Sequence, residues 1–98
     1  MSYAVELTSE TVQKIDGWHL SSHLYREILK GIDALAANPN RHLIRVGPPH
    51  DVLQYDVFVR EPAVPPRDHL FVFTVRYATD EERLLVVDCE HEFEERRE

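Results

Sequence analysis

The sequence predicts an α+β protein in which two N-terminal helices pack on one face of a small sheet of mainly antiparallel strands. The prediction rests on a change in the hydrophobic period. Apolar residues recur at helical spacing between residues 9 and 37, and after residue 40 they alternate with a period of two. The helices therefore come early and the strands follow one another, which gives the order β-α-α-β-β-β-β.

The bulk composition is that of an ordinary globular protein with one domain over residues 1–98. Of the 98 residues, 43% are hydrophobic and 30% are charged, which suits a single hydrophobic core. Cys89 is the only cysteine, and the sequence shows neither a signal peptide nor an apolar run of membrane-spanning length. We therefore expect a cytoplasmic protein that does not enter a membrane.

The charge balance bears on the class of partner. The net charge is −7 at pH 7, and proteins that bind nucleic acid mainly by electrostatic attraction need a surplus of Lys and Arg. The composition therefore argues against that class, although a local basic patch can occur on an acidic protein.

The first strand and both helices have recognisable ends. Residues 2–8 alternate as a half-buried strand does, and Thr8 or Ser9 can then cap a first helix that ends near Gly17. Ser21 or Ser22 can cap a second helix, which ends before the Asn-Pro pair at 38–39.

The second helix has a clear apolar stripe, formed by Leu24, Ile28, Ile32 and Leu35. Gly31 lies inside this helix, where glycine costs about 1 kcal/mol relative to alanine. We interpret Gly31 as a point of close packing against a neighbouring element.

His19 and His23 stand four residues apart and raise the question of a metal site. The stretch WHLSSH predicts a corner between the two helices, so these imidazoles are not expected to share a helix face. Leu20 also stands where a zinc-hydrolase motif has glutamate, and no third ligand follows at a suitable spacing. We predict no metal site and no cofactor.

Four strands are predicted after the helices, at residues 41–47, 51–61, 69–77 and 83–89, with a loop at 61–68, a turn at 78–82 and a charged C-terminal tail at 90–98. Residues 70–73 and 84–87 are apolar on both strand faces, which is typical of strands covered from both sides. Two helices cover only one face of the sheet. We expect the tail, a dimer mate or a partner protein to cover the other face, which is called the open face below.

This layout resembles the RelE/ParE superfamily of toxins from bacterial type II toxin–antitoxin systems. The resemblance rests on an opening YAVELT strand, on a second helix that closes with IDALAANP, and on a last strand that runs as LLVVDCEH. The matching features are Leu35 shortly before Asn38 and Pro39, and a histidine, His91, after the last strand.

The resemblance implies a function as well as a fold. It implies a toxin that cleaves messenger RNA on the ribosome without a metal ion, or one that acts on gyrase, and an antitoxin that covers the open face. The chain departs from the pattern in two places. Leu70 stands where the resemblance leads us to expect arginine, and Glu92 follows His91 where arginine is common. Because of these departures, a member of the same superfamily without catalytic activity is a second interpretation.

Three residues are candidates for catalysis. His91 can act as a general acid or base near neutral pH, or it is a solvated histidine in an acidic tail whose pKa is raised by Glu90 and Glu92. Arg60 and Arg76 are expected on the open face, where either could bind phosphate. The alternative for Arg76 is an ion pair with Asp56 or Asp88, and we favour a structural role for both arginines.

The candidate RNA-binding or partner-binding residues form two groups. The first is a locally basic strand, whose residues are Arg41, His42 and Arg45; its alternative is a solvated edge strand. The second is the open face with its apolar surface, to which we assign Asp56, Leu70, Val72, Leu84 and Val86. We expect Cys89 to be a buried apolar residue and not a nucleophile.

The sequence leaves three functions open. The first is a RelE/ParE-type toxin with an antitoxin partner and the ribosome or gyrase as its target. The second is a catalytically inactive module of the same fold, which binds a protein partner or a second copy through the apolar open face. The third, ranked last, is a metal-dependent enzyme that uses His19, His23 and carboxylates.

Overall fold

In the described part of the chain, five strands form one mixed sheet, and two longer helices follow the first strand and precede the other four. The computed structural model describes residues 4–46, 52–77 and 83–95, without the side chains of residues 40, 46 and 52. The elements are β1 (Ala4–Leu7), α1 (Ser9–Gly17), α2 (Ser22–Ala37), α3 (Pro39–His42), β2 (Ile44–Val46), β3 (Val52–Glu61), β4 (Arg67–Tyr77) and β5 (Arg83–Glu95). The predicted turn at 78–82 lies outside the described residues.

The strand order in the sheet is β1-β5-β4-β3-β2. β1 runs parallel to β5, and the other three pairings are antiparallel. The predicted α+β class with a sheet of mainly antiparallel strands is confirmed. The parallel pairing places the first strand beside the last one, so β1 and α1 lie next to β5.

Side-chain caps begin both longer helices. The hydroxyl of Thr8 accepts a hydrogen bond from the backbone N–H of Thr11 at 3.3 Å, and the hydroxyl of Ser21 accepts one from the N–H of Leu24 at 3.3 Å. Each bond satisfies a backbone donor that has no partner within the helix. Of the alternatives in the sequence, the caps are thus Thr8 and Ser21.

The core lies between α1, α2 and one face of the sheet. Its fully buried members on the sheet include Phe71, Phe73, Val75, Leu84 and Val86. The stripe of α2 packs against them as predicted, with Leu24, Ile28 and Leu35 buried and Ile32 partly buried. Burial of this continuous apolar surface is the main favourable term in folding.

The placement of Leu84 and Val86 on the open face was wrong. These side chains are 0% and 1% exposed and belong to the helix-covered core. In a strand that is apolar on both faces, periodicity alone does not say which residues face the core. On β5 the half-buried side chain of Leu85 takes the alternate position, toward the open face.

The strand predicted at 41–47 was partly wrong. Asn38 has a non-helical backbone with φ −153° and ψ 75°, and Pro39 then begins the short helix α3. Proline is well suited to a first helical turn because its φ is already near the helical value. Arg41 and His42 therefore lie on a helical turn, and only Arg45 lies on a strand, β2, at the edge of the sheet.

The charged tail predicted at 90–98 was wrong for residues 90–95. They continue β5 and pair with β4, with Phe71 opposite His91 and His69 opposite Phe93. The alternating glutamates do not form a solvated tail; they are the outward half of a strand whose inward half is His91 and Phe93. β4 correspondingly begins at Arg67, two positions before the predicted start.

No helix in the described part of the chain is long and apolar enough to cross a membrane.

Candidate acid–base site

A cleft lies at the end of the sheet where β3 ends, β4 begins and β5 ends. The corner between α1 and α2 closes its other side. The cleft has a volume of about 350 Å³, and its lining consists of Trp18, His19, Leu20, Ser21, Leu24, Glu61, Arg67, His69, His91 and Phe93. The WHLSSH stretch thus contributes a wall of this cleft.

The helix corner brings Trp18 over the sheet. The backbone N–H of Trp18 donates to Ile15 O at 3.1 Å, which ends α1, and His19 follows with a positive φ of 52°. Histidine is one of the few non-glycine residues enriched in that region. The Trp18 ring then lies 5.2 Å from the ring of His91, between centroids.

Four side chains form a continuous hydrogen-bonded chain along the cleft. The Ser21 hydroxyl donates to Glu61 Oε2 at 3.0 Å, and Glu61 Oε1 lies 3.2 Å from His69 Nε2. His69 Nδ1 lies 2.9 Å from His91 Nε2. This Ser21–Glu61–His69–His91 series is called the relay below.

The charge of Glu61 determines the tautomers along the relay. An ionised carboxylate only accepts hydrogen bonds, so His69 Nε2 carries the proton toward Glu61. In a neutral His69 the other nitrogen, Nδ1, is then an acceptor, and His91 Nε2 must donate to it. A neutral His91 is left with its lone pair on Nδ1.

His91 Nδ1 is open to a ligand. It forms no hydrogen bond within the described residues, and it is not among the buried polar atoms that lack a partner. The relay thus ends in an accessible basic nitrogen whose ring is held by Glu61 through His69. A histidine oriented by a second group in this way is the usual arrangement of a general base.

The environment shifts two pKa values in the relay. Burial, followed by the nearby charge of His69, lowers the pKa of His91 below its ordinary value. For Glu61, burial raises the pKa, but the hydrogen bonds from Ser21 and His69 and the charges of His69 and Arg67 outweigh it and lower the pKa overall. Glu61 is therefore ionised and His91 neutral at pH 7, and the tautomer argument applies to the state in which His69 is neutral as well.

Stacked rings hold the relay in place. His91 lies 4.5 Å from Phe71 with an angle of 10° between the ring planes. The two imidazoles are nearly coplanar, with 8° between their planes and centroids 5.2 Å apart, as the hydrogen bond between their ring edges requires. His69 is only 4% exposed. Packing on several sides leaves these rings few alternative rotamers, which favours a preorganised base.

Of the predicted catalytic residues, the structure brings only His91 to the cleft. Its solvated alternative was wrong, because His91 faces the helix-covered side and its pKa is lowered, not raised. Arg60 lies on the open face, as predicted, and its Nε is 3.1 Å from Asp68 Oδ1. Arg76 is exposed on the same face and forms no ion pair with Asp56 or Asp88 among the described residues.

The predicted basic strand does not form a single patch. Arg41 is exposed on α3, whereas the ring of His42 packs edge-on against Tyr55 with centroids 5.8 Å apart. Arg45 is exposed on β2. The partner-binding candidates Asp56, Leu70 and Val72 do lie together on the open face, because Asp56 pairs with Val72 in adjacent strands.

Sequence reasoning missed the other members of the relay. Alternation offered a signal for His69, because it stands two residues before buried Phe71, and Glu61 stands two after buried Val59. Strict alternation therefore points both side chains toward the helices. No local signal shows that Ser21 would reach Glu61, since their contact depends on the packing of α2 on the sheet.

Three further residues were candidates for chemistry in the sequence: Cys89, His19 and His23. Cys89 is fully buried, as predicted, and burial raises the pKa of its thiol to about 12, so it is not a nucleophile at neutral pH. His19 precedes α2 and His23 lies within it, so the two do not share a helix face. Within residues 4–46, 52–77 and 83–95, no three His, Cys, Asp or Glu side chains are arranged to hold a metal ion.

Comparisons of the chain with protein-family models, with curated proteins and with solved structures find no match. The fold and the site therefore define only a class, an α+β protein with a histidine relay in a cleft.

Proposed function

We propose that the cleft is the active site of a metal-independent endoribonuclease, and that the chain is a toxin of the RelE/ParE type. One observation carries the catalytic part of this proposal: when His69 is neutral, the relay leaves an unprotonated, accessible Nδ1 on His91. The toxin part is supported by the sequence resemblance and by an α+β fold of the expected kind.

The proposed reaction is transfer of a phosphodiester from the 5′-oxygen of one nucleotide to the 2′-oxygen of the preceding one. His91 Nδ1 takes the proton of the ribose 2′-OH, the 2′-oxygen forms a bond to phosphorus, and the bond to the 5′-oxygen breaks. The leaving 5′-oxygen then takes a proton from the imidazolium or from water. Glu61 stabilises the positive charge that passes through His69 and His91.

The cleft contains groups suited to a nucleotide. The side chain of Phe93 is 59% exposed, and exposed aromatic rings stack on the bases of single-stranded RNA. Arg67 lines the cleft, with its Nη2 3.3 Å from Glu95, and it can contact a phosphate by exchanging this partner. It is the one arginine or lysine in the described lining.

The acidity of the chain determines how the RNA must arrive. A net charge of −7 gives little attraction for free RNA. The proposal therefore concerns messenger RNA held in the ribosomal A site, where the ribosome supplies the binding energy.

The test is primer extension on messenger RNA in a purified translation system. Wild-type protein is expected to produce discrete cuts in the A site. Because a general base typically contributes about 100- to 10,000-fold, His91→Ala should reduce the cleavage rate at least about 100-fold. Glu61→Gln should reduce it less, since the imidazoles remain in place.

Asp33→Ala is the control, because Asp33 is exposed on α2 and does not line the cleft. It should cleave at the wild-type rate. Intact message with folded wild-type protein would remove the ribonuclease proposal, and equal cleavage by His91→Ala would move the active site away from the relay.

A second candidate function is an interaction module that binds a protein through the open face. The specific observation is that no described helix covers this face and that Phe58, which lies on it, is 63% exposed. Such a module does not require the relay to be catalytic. Its direct test is loss of binding to an open-face ligand in Phe58→Ser.

A further inference from the structure

The pairing of β3, β4 and β5 gives a map of the open face. One row across the three strands consists of Phe58, Leu70 and Glu92, and the next consists of Asp56, Val72 and Glu90. The flanking rows are Arg60, Asp68 and Glu94 on one side, and Gln54, Thr74 and Asp88 on the other. The face therefore has an apolar centre on β3 and β4 and a column of carboxylates along β5.

The apolar centre is available to a ligand. Phe58 is 63% exposed, and its neighbours Leu70 and Val72 are half-buried. A groove of about 450 Å³ runs past this centre, between Phe58, Leu70 and the carboxylates of Glu92 and Glu94. An exposed aromatic ring beside other apolar side chains is typical of an interaction surface.

The carboxylate column is only partly neutralised. Lys14 of α1 reaches Asp88 at 3.0 Å and Glu90 at 2.7 Å. Glu92 and Glu94, which lie nearest to Phe58 and Leu70, form no ion pair with any described residue. The part of the column that borders the apolar centre thus presents two unpaired negative charges.

The charge excludes two of the possible occupants. A second copy that used the same face would bring the two carboxylate columns close together, and like charges in close contact cost binding energy. Nucleic acid would be repelled for the same reason. An occupant with positive charges beside apolar side chains would satisfy both parts of the face.

We propose that the open face binds a cationic amphipathic helix of a partner protein, with apolar residues on Phe58, Leu70 and Val72 and with Lys or Arg beside Glu92 and Glu94. This inference rests on the second candidate function, the interaction module. Helices are the elements that commonly cover a sheet face in α+β proteins.

The dimensions of a helix match the face. A helix is about 10 Å wide, and the distance across β3, β4 and β5 is also about 10 Å. Carboxylates two residues apart on a strand are separated by about 6.8 Å, and side chains four apart on a helix by about 6 Å. A helix with basic residues at i and i+4 can therefore pair with both glutamates at once.

The test is selection from a display library of random helical peptides. The full chain serves as the target, and Phe58→Ser serves to remove peptides that bind elsewhere. We expect the enriched peptides to carry apolar residues at i, i+3 or i+4, and i+7, with Lys or Arg along one flank. One enriched peptide is then synthesised, and its Kd is measured by fluorescence anisotropy.

Two matched pairs of variants locate the binding site. Phe58→Ser should weaken binding at least tenfold and Leu29→Ser should not, although the wild-type side chains are similarly exposed at 63% and 61%. Glu92→Lys should weaken binding at least tenfold, whereas the same charge change at Asp33, exposed on α2, should have little effect. Binding should also weaken as salt concentration rises.

The outcomes separate this inference from the function on which it rests. Enriched peptides that are neutral or acidic, and that still require Phe58, would overturn the cationic partner but leave the interaction module intact. The absence of any peptide that distinguishes wild type from Phe58→Ser would overturn both.

Discussion

Gly31 is the point at which α2 comes closest to the sheet. A Cβ atom at this position would lie 2.9 Å from Cγ2 of Val57 on β3. The hydroxyl of Tyr55 donates to the carbonyl of Gly31 at 2.8 Å, so the helix backbone contacts β3 through a polar bond as well. The close packing that the sequence predicted for Gly31 is confirmed.

Replacement of Gly31 by Ala should destabilise the protein. Alanine improves helix propensity by about 1 kcal/mol, but overpacking typically costs about 1–3 kcal/mol. Val57 is β-branched and stiff, so it cannot move aside cheaply. We expect a net loss of about 1 kcal/mol in the free energy of unfolding, measured by urea titration.

Gly17→Ala is the control, because no atom outside its local chain lies within 4 Å of a Cβ at that position. It should be neutral or slightly stabilising. A stabilising Gly31→Ala would show that α2 can move away from β3 without loss. The Gly31→Ala/Val57→Ala double variant should lose less than the sum of the two single variants.

At the scale of elements, β5 organises the sheet. Its first residues pair with β1, and its far end, residues 90–95, pairs only with β4 among the described strands. The helix α1, which follows β1 in the chain, lies beside β5. Its Lys14 forms ion pairs with Asp88 and Glu90 of β5. Carboxylates and an adjacent helix discourage unwanted pairing at this exposed edge.

Truncation after Cys89 tests whether the last residues are structural. It removes one of the two strands that pair with residues 67–72, together with the side chains of His91 and Phe93. We expect the free energy of unfolding to fall by at least about 3 kcal/mol, because several backbone hydrogen bonds to β4 are lost at about 0.5–1.5 kcal/mol each. Chemical denaturation followed by circular dichroism measures the change.

Glu94→Ala, within the same segment, is the matched control and should leave stability nearly unchanged, because its side chain is exposed. If truncation after Cys89 were equally harmless, residues 90–95 would contribute no stabilising pairing. The expectation of a solvated tail would then be restored.

At the scale of the whole molecule, stability should depend on pH through the relay. His91 has a folded-state pKa below its ordinary value of 6.5, so the unfolded chain binds its proton more readily. Stability therefore falls as pH drops through about 6.5 and below. Glu61, whose pKa is lowered from 4.5, adds a second loss below that value.

Substitution of His91 by Gln should flatten the upper part of this pH dependence. The Gln amide can still donate to His69 Nδ1, but it does not titrate. We expect the slope of unfolding free energy between pH 7 and 5.5 to decrease, while the loss below pH 4.5 persists. Thermal melts at half-unit pH steps give both slopes, and an unchanged upper slope would assign the transition to another group.

Much of the local structure could be predicted from the sequence. Helix caps, the apolar stripe of α2 and the alternation in β3 depend on residues within a few positions of one another. The failures also have local causes. Pro39 suits a first helical turn as well as a helix stop. The alternating charges of residues 90–95 are as typical of a solvated tail as of a strand with one exposed face.

The sequence by itself determined the α+β class, the ends of α1 and α2, the close packing at Gly31 and the burial of Cys89. These features follow from short-range periodicity, capping and side-chain chemistry. The tertiary structure decided the strand order and the register, and through them the contact between His69 and His91, 22 positions apart, and the reach of Ser21 to Glu61, 40 positions apart. Such contacts depend on long-range pairing and helix packing, which no local window of sequence contains.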